Sequence, residues 1–287
     1  MSIVLFTANK LGEMLLEELT KRSFFPEVVT YTRGFQRTTQ AKDLGSFRRD
    51  FSMSFIASNN IEDCDNLPEI TGKTVVCVDW TKDFFKGSGL DVVFAHPSLL
   101  PLYRGYSALT EQFVRGVAVS GATFYMQGEK IDGGDIVAQK EIRIQYEDYP
   151  LDFMQRYVEV CADFIIELNR KGLQSYTPMP QNEDEAFYLQ RKRGKDSIID
   201  FNRDAYNIYN HIRGYSRPFF GAFFMKDGQR VTVWHASTEV WQGEYGTPGS
   251  VLSVSDNGAE LACGSGTIIL REIEVDGKIY KGDSIQL

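Results

Sequence analysis

The sequence predicts an α/β fold, a doubly wound and mostly parallel sheet followed by a small C-terminal β-barrel. Three observations predict it. The first half alternates short apolar runs with helical patterns, as parallel strands and their crossovers do. The run Asp91-Val92-Val93-Phe94-Ala95 is apolar without alternation, as strands covered on both faces are. Beyond Gly221 short strands are cut by Asp227-Gly228, Gly246-Thr247-Pro248-Gly249, Asn257-Gly258, Gly264-Ser265-Gly266 and Asp276-Gly277, the turn chemistry of hairpins and small barrels.

The elements follow in order. Ser2 to Phe6 reads as a strand and Leu11 to Arg22 as a helix with apolar spacing. Glu27 to Tyr31 is a second strand, and residues 32–50 are polar and irregular. Strands are expected at Phe51–Ile56, Thr74–Val78 and Asp91–Ala95, then a helix over Ser107–Arg115. Thr123–Met126, Ile136–Gln139 and Ile142–Ile144 read as strands, and Asp152–Lys171 as a long amphipathic helix. The pattern changes near Tyr176. Pro178, Pro180 and the polar run Gln181-Asn182-Glu183-Asp184-Glu185 read as a linker, and Ala205–Arg213 as a helix. The expected organisation is therefore a first domain over 1–176, a linker with a helical segment over 177–220, and a barrel over 221–287.

Composition narrows the function classes. The chain has 287 residues and a formal net charge of −8. An acidic chain is a poor match for a protein whose main partner is a nucleic-acid backbone, which needs concentrated positive surface. Four cysteines stand far apart with no CxxC pair, consistent with free thiols in a reducing cytoplasm. With three histidines and no HExxH or Cys/His cluster, no metal site is expected. No secretory leader or membrane-spanning apolar run is visible. The first strand–helix loop, Thr7-Ala8-Asn9-Lys10-Leu11-Gly12, has one glycine, so the dinucleotide fingerprint is absent.

Chemistry concentrates elsewhere. His96 follows the apolar strand at 91–95, at the carboxyl end where open α/β sheets place ligands. Pro97 and Pro101 stiffen the loop after it, and Ser98 can bond its backbone. Asp132 lies between Ile131 and the pair Gly133-Gly134, which permits close approach of the chain. Alone, it would read as an ordinary turn aspartate. With His96 in the same chain, it reads as a partner in acid–base work.

The pattern His96-Pro97-Ser98-Leu99-Leu100-Pro101-Leu102-Tyr103-Arg104-Gly105, then Gly121-Ala122-Thr123, then Ile131-Asp132-Gly133-Gly134-Asp135-Ile136 resembles the folate-dependent formyltransferases. The resemblance runs on through Arg191 to Phe201, Ile212-Arg213-Gly214 and Pro218 to Phe223, to Val231-Thr232-Val233-Trp234, Pro248-Gly249-Ser250-Val251 and Leu261-Ala262-Cys263-Gly264. It covers the chain from about Val75 to Lys278. The later motifs are similar to those of methionyl-tRNA formyltransferases and of formyltransferases acting on UDP-4-amino-4-deoxyarabinose.

The resemblance implies a Rossmann-like catalytic domain, an OB-like barrel, and transfer of a formyl group from N10-formyltetrahydrofolate to an amine. It makes His96 a general base and oxyanion donor and Asp132 its orienting partner. It also places an asparagine where this chain has Phe94, and phenylalanine donates no hydrogen bond. Loss of one oxyanion donor costs about 10²–10³ in rate. Another donor such as Ser98 or a backbone N–H can compensate, or the enzyme is slow or differently tasked, or the site has lost its activity. By the same resemblance Trp80, Lys82, Phe84, Met126, Gly128, Glu129 and Ile131 line the folate, with Trp80 also readable as a core residue. Ser98, Tyr103, Arg104, Arg193, Lys195 and Arg213 are the expected substrate contacts, since a nucleotide pyrophosphate needs cations. Each cation taken singly is equally an ordinary surface charge. The expected partner is a nucleotide-linked amino sugar, and the expected assembly a cytoplasmic homodimer. Methionyl-tRNA as acceptor, and a non-catalytic or different-acyl relative, remain the alternatives.

Overall fold

Five apolar segments form the parallel centre of one sheet in the computed structural model, which describes residues 3–33, 43–58, 60–80, 82–85, 88–285 and 287. Ser2 and part of the irregular stretch at 32–50 lie outside those residues. The strands are β1 (Ile3–Thr7), β2 (Glu27–Tyr31), β3 (Met53–Ile56), β4 (Cys64–Asp65), β5 (Thr74–Val78), β6 (Val92–His96), the two-residue β7 (Arg104–Gly105), β8 (Val119–Met126) and β9 (Ile136–Arg143). The eight-stranded order is β4-β3-β2-β1-β5-β6-β8-β9. β3, β2, β1, β5 and β6 run parallel, whereas β4, β8 and β9 pair antiparallel. The sheet is parallel-rich, as expected. Its antiparallel flank is entered by the long connection over 97–118 from β6 to β8, a reversal that the short apolar runs do not announce.

The chain moves outward from β1 to β3 and returns on the other side of β1 at β5. That reversal puts a crevice at the carboxyl ends of the central strands, the ligand end of such sheets. β6, which carries His96 at its carboxyl end, is next to β5.

One face of the sheet buries Val4, Phe6, Val29, Tyr31, Val75, Cys77, Val92, Phe94 and Tyr125 in a single cluster. Helix α1 (Asn9–Lys21) and, from Asp152 onward, helix α3 (Pro150–Lys171) belong to the same unit as this sheet. Pro150 occupies the first helical position, where a missing N–H costs nothing. Gly172, with φ of +78°, takes the left-handed conformation that ends the helix. No helix among the described residues is long and apolar enough to cross a membrane.

The chain divides into two units that differ from the expected boundaries. The first is 1–105, 119–143 and 152–189; the second is 106–118, 144–151 and 190–287. The expected break at 176 falls inside the segment 152–189 of the first unit. Residues 177–189, read as linker from their prolines and acids, belong to the first unit, because their backbone is bonded into it: Met179 exchanges bonds with Ile136, and Phe187 with Pro101 and Arg104. There β10 (Tyr188–Leu189) pairs with β7.

The second unit holds α2 (Ala108–Val114), α4 (Ala205–Tyr215) and a six-stranded antiparallel sheet. Its strands are β11 (Ala222–Lys226), β12 (Gln229–Ser237), β13 (Val251–Ser255), β14 (Gly258–Ala262), β15 (Thr267–Val275) and β16 (Lys278–Lys281), in the order β11-β12-β15-β14-β13, with β16 on β15. Asp227-Gly228 and Asp276-Gly277 each place two consecutive residues at positive φ, the requirement of a tight two-residue hairpin. Asp204 caps α4 through Asn207 N–H at 2.9 Å, and Ile208, Ile212 and Tyr215 on that helix share a core with Val231, Val233 and Leu270.

Candidate active site

His96 ends β6 opposite Thr123 on β8 and is 3 % exposed. Its Nε2 lies 2.8 Å from the Tyr103 carbonyl oxygen. A carbonyl only accepts, so Nε2 carries a proton. Nδ1 lies 3.6 Å from Asp132 Oδ2. That distance is beyond a hydrogen bond but within ion-pair reach, so a ring protonated at both nitrogens is attracted to the carboxylate.

The loop from Pro97 to Tyr103 is held by its own polar groups. Ser98 Oγ donates to Leu102 O at 2.7 Å, and Thr123 Oγ1 donates to Ser98 O at 2.6 Å. Ser98 is fully buried, so this hydroxyl, expected on substrate, is spent on the loop. Tyr103 is half-buried, with a φ of +62° and its ring edge-on to Phe187. Its backbone carbonyl, rather than its ring, meets His96.

Asp132 is 2 % exposed and sits at φ of +54°, a left-handed conformation that a non-glycine residue adopts only when its surroundings hold it there. The holding is visible. Gly105 N–H donates to Asp132 Oδ2 at 2.7 Å, and the Tyr125 hydroxyl donates to Oδ1. The Gln181 side-chain amide donates to the carbonyls of Asp132 at 2.8 Å and Gly134 at 2.6 Å. Gly134 has no alternative residue: a Cβ there would lie 1.8 Å from the Met126 carbonyl oxygen. Met126 N–H in turn bonds Asp135 O at 2.8 Å, which closes the turn onto the end of β8.

Arg104 is placed differently from expectation. Expected on substrate, it is wholly buried. Its guanidinium donates to Gln181 Oε1, to the Tyr188 hydroxyl and to Glu183 at 2.6–3.1 Å. Burial works against its charge, but the bonds to Glu183 and Tyr188 outweigh that and hold it as a cation. Glu183 is pulled down to about 2 by hydrogen bonds from Arg104 and Lys130. Arg104 therefore fixes Gln181, and Gln181 fixes the aspartate turn. Gln181→Ala is expected to lower turnover by about tenfold, the usual scale for loss of a group that orients a catalytic one, with unchanged KM. Steady-state kinetics of the purified variant checks this.

The expected folate-lining residues divide. Trp80 is 7 % exposed, stacked on Tyr31 at 4.1 Å and edge-on to Phe6 and Phe84. Both Trp80 and Phe84 thus join the aromatic core, as the alternative reading of Trp80 allowed. The Trp80 indole N–H remains buried without a partner. Met126 and Gly128 lie beside the Asp132 turn, and Glu129 and Ile131 are exposed on it. The side chain of Lys82 lies outside the described residues.

The remaining expected substrate contacts lie in the second unit. Arg193 and Lys195 are exposed. Arg213 is not available: it is 3 % exposed, and its guanidinium donates to the carbonyls of Gln145, Tyr146 and Asp148 and to Asn210 Oδ1. It holds a loop inside that unit.

Phe94 is 4 % exposed on the same face of β6 as His96, and its ring stacks on Tyr125 at 5.8 Å. Tyr125, Gln181 and the Gly105 N–H went unnoticed in the sequence. The first was legible only as a strand residue, the second stood in a run with linker composition, and the third is backbone.

Family models for "Formyl transferase" and "Formyl transferase, C-terminal domain" match residues 58–168 and 192–285. Methionyl-tRNA formyltransferases of Citrifermentans bemidjiense and Lachnospira eligens are each 30 % identical over 64 % of this chain. The chain spans 57 % and 59 % of the length of those relatives. Among solved structures, WlaRD, a sugar 3N-formyl transferase crystallised with dTDP and 5-N-formyl-THF, superposes with a TM-score of 0.67 at 17 % identity, covering 97 % of this chain and 98 % of that one. HypX from Aquifex aeolicus, in complex with tetrahydrofolic acid, gives 0.65 at 17 % identity, covering 97 % of this chain and 45 % of HypX. Methionyl-tRNA formyltransferase from Clostridium thermocellum gives 0.58 at 18 %, covering 98 % and 100 %. These likenesses show a shared fold. With models of one family matching both its N-terminal and C-terminal parts, the chain belongs to the formyl transferase family.

Proposed function

We propose that the chain transfers a formyl group from N10-formyltetrahydrofolate to the amine of a nucleotide-linked amino sugar, through a tetrahedral intermediate. The observation that carries the reaction class is the buried His96–Asp132 pair at the carboxyl end of β6, with its 3.6 Å separation. The folate supplies the formyl carbon. The chain's own groups do the rest. The proton released by the attacking amine is taken up by the His96–Asp132 pair and delivered to the N10 nitrogen as its bond to the formyl carbon breaks, which leaves the formamide and tetrahydrofolate. His96 Nε2–H, now bonded to the Tyr103 carbonyl, is the donor that can turn to the developing oxyanion. The exposed Glu129 and Ile131 beside the Asp132 turn are compatible with a folate held near that turn.

Charge supports the sugar acceptor. Residues 190–287 carry 12 lysines and arginines against 12 aspartates and glutamates, no excess of positive charge for a phosphate backbone. WlaRD and an N-formyltransferase from Helicobacter canadensis, crystallised with folinic acid and dTDP-3-aminofucose, are neighbours of matching length. The sequence relatives favour methionyl-tRNA as the second reading. The proposal carries with it a cytoplasmic homodimer with the second unit closed as an OB-like barrel, serving surface-polysaccharide or lipid modification.

Calorimetric titration with UDP, dTDP, GDP and 5-formyltetrahydrofolate tests the reading. Tight binding of one nucleotide together with the folate is the expected result. Folate binding without any nucleotide, with salt-sensitive binding of charged tRNA, favours the second reading. No folate binding defeats both.

A further inference from the structure

Position 94 has no donor to give, and the strand beside it supplies one. β6 and β8 pair antiparallel, with Phe94 directly opposite Tyr125 and His96 opposite Thr123. The rings of Phe94 and Tyr125 lie 5.8 Å apart at an interplanar angle of 29°, and both residues are almost wholly buried. This packing aims the Tyr125 hydroxyl at Asp132 Oδ1. The other carboxylate oxygen, Oδ2, receives Gly105 N–H at 2.7 Å and faces His96 Nδ1. Two donors on two oxygens set the plane of the carboxylate.

Tyr125 suits the task chemically. Burial, followed by the neighbouring Asp132 charge, pushes its phenol well above its ordinary value. It therefore stays protonated and donates to the carboxylate, and hydrogen bonds of that kind favour the charged form of an acid. The Cys77 thiol on β5, also raised by burial, stays neutral and adds no competing charge.

We propose that Tyr125 is a positioning residue: from the strand position facing Phe94, its hydroxyl holds the Asp132 carboxylate with one oxygen turned to His96. The inference rests on the formyl-transfer reading for its kinetic consequence only. The ionisable groups around the pair are His96 on β6, Cys77 on β5, Tyr157 on α3, whose charge interactions reach Tyr125 and Asp79, and the Arg104 guanidinium beside Gly133. Without the Tyr125 phenolic oxygen, Oδ1 is buried beside Phe94 with one fewer donor. The carboxylate then loses the contact that fixes its orientation, so its charge is held less closely to the His96 ring and stabilises the imidazolium less.

Proton titration of the His96 ring by NMR, in the wild type, Tyr125→Phe and Phe94→Leu, tests this. In Tyr125→Phe the His96 midpoint is expected to fall by about half to one pH unit. Turnover should fall about tenfold with KM for the amine unchanged, on the scale of losing an orienting partner. Phe94→Leu, which keeps the hydroxyl but removes the ring packed on it, should lower the midpoint by a smaller amount than Tyr125→Phe. An unchanged or raised midpoint in Tyr125→Phe overturns the proposal. A wild type that transfers no formyl group while the midpoint still falls removes the formyl-transfer reading and leaves the positioning role standing. One check needs no variant. The Tyr125 hydroxyl proton of the wild type should be protected from exchange and move downfield or upfield as His96 titrates. A Tyr125 proton that exchanges freely, or ignores the His96 titration, overturns the proposal too.

Discussion

His96→Ala is expected to slow formyl transfer by at least about 10³-fold, because one side chain supplies both proton transfer and an oxyanion donor, terms of about 10²–10⁴ and 10²–10³ taken singly. The expectation comes from geometry. Asp132 and the Tyr103 carbonyl both face the ring, and no other histidine lies on this sheet: His211 is on α4 and His235 on β12 of the second unit. KM for folate and amine should stay within about twofold, the pattern of a group that acts mainly in the transition state. The comparison to make is kcat and KM for the purified wild type and variant, with the melting temperature as a check on folding. A loss confined to KM, or a loss below tenfold, would remove His96 from the chemistry.

Arg213→Met is expected to destabilise the second unit by about 3–4 kcal/mol, since hydrogen bonds to charged groups contribute about 1.5–3 kcal/mol each and their loss strands buried acceptors. The guanidinium donates to three consecutive-loop carbonyls, at 3.0 Å to Gln145, 2.7 Å to Tyr146 and 3.0 Å to Asp148, and to Asn210 Oδ1 at 2.6 Å. It also lies over the rings of Tyr209 at 4.9 Å and Phe113 at 5.2 Å. Methionine fills the volume but donates nothing. Arg213→Lys should recover only part of the loss, because a single ammonium cannot match a planar fork. Thermal unfolding of the variants is the measurement, with a fall of about 10 °C expected from the usual conversion for chains of this size. Nucleotide affinity of the folded variant should be unchanged. A normal melting temperature with weakened nucleotide binding would return Arg213 to the substrate site, where the sequence had placed it.

Arg213 and Arg104 mark the same limit of sequence reading. Both sit in motifs that the family resemblance flags, and both carry a charge that suits a phosphate. The sequence shows residue type and spacing. It does not show that each guanidinium is enclosed by oxygens of its own chain, since the partners of Arg104 lie 77 to 84 positions away and the loop carbonyls that Arg213 meets lie 65 to 68 away. Trp80 shows a milder form of it: one aromatic residue after a strand suits a flat ligand and a core equally, and only the stack on Tyr31 decides.

The parallel centre of the sheet, the position of His96 at a strand end and the turn at Asp132 were set by local information. Apolar runs without alternation, a histidine after one of them and two glycines after an aspartate are short-range features, and short-range sterics and burial suffice to read them. What only the tertiary structure decided is what surrounds that turn. The antiparallel register brought Tyr125 across from Phe94, and a segment with the composition of a linker became the support of the aspartate through Gln181. Register and side-chain contacts between distant segments depend on how the whole chain packs, and a pattern of single residues holds no record of them.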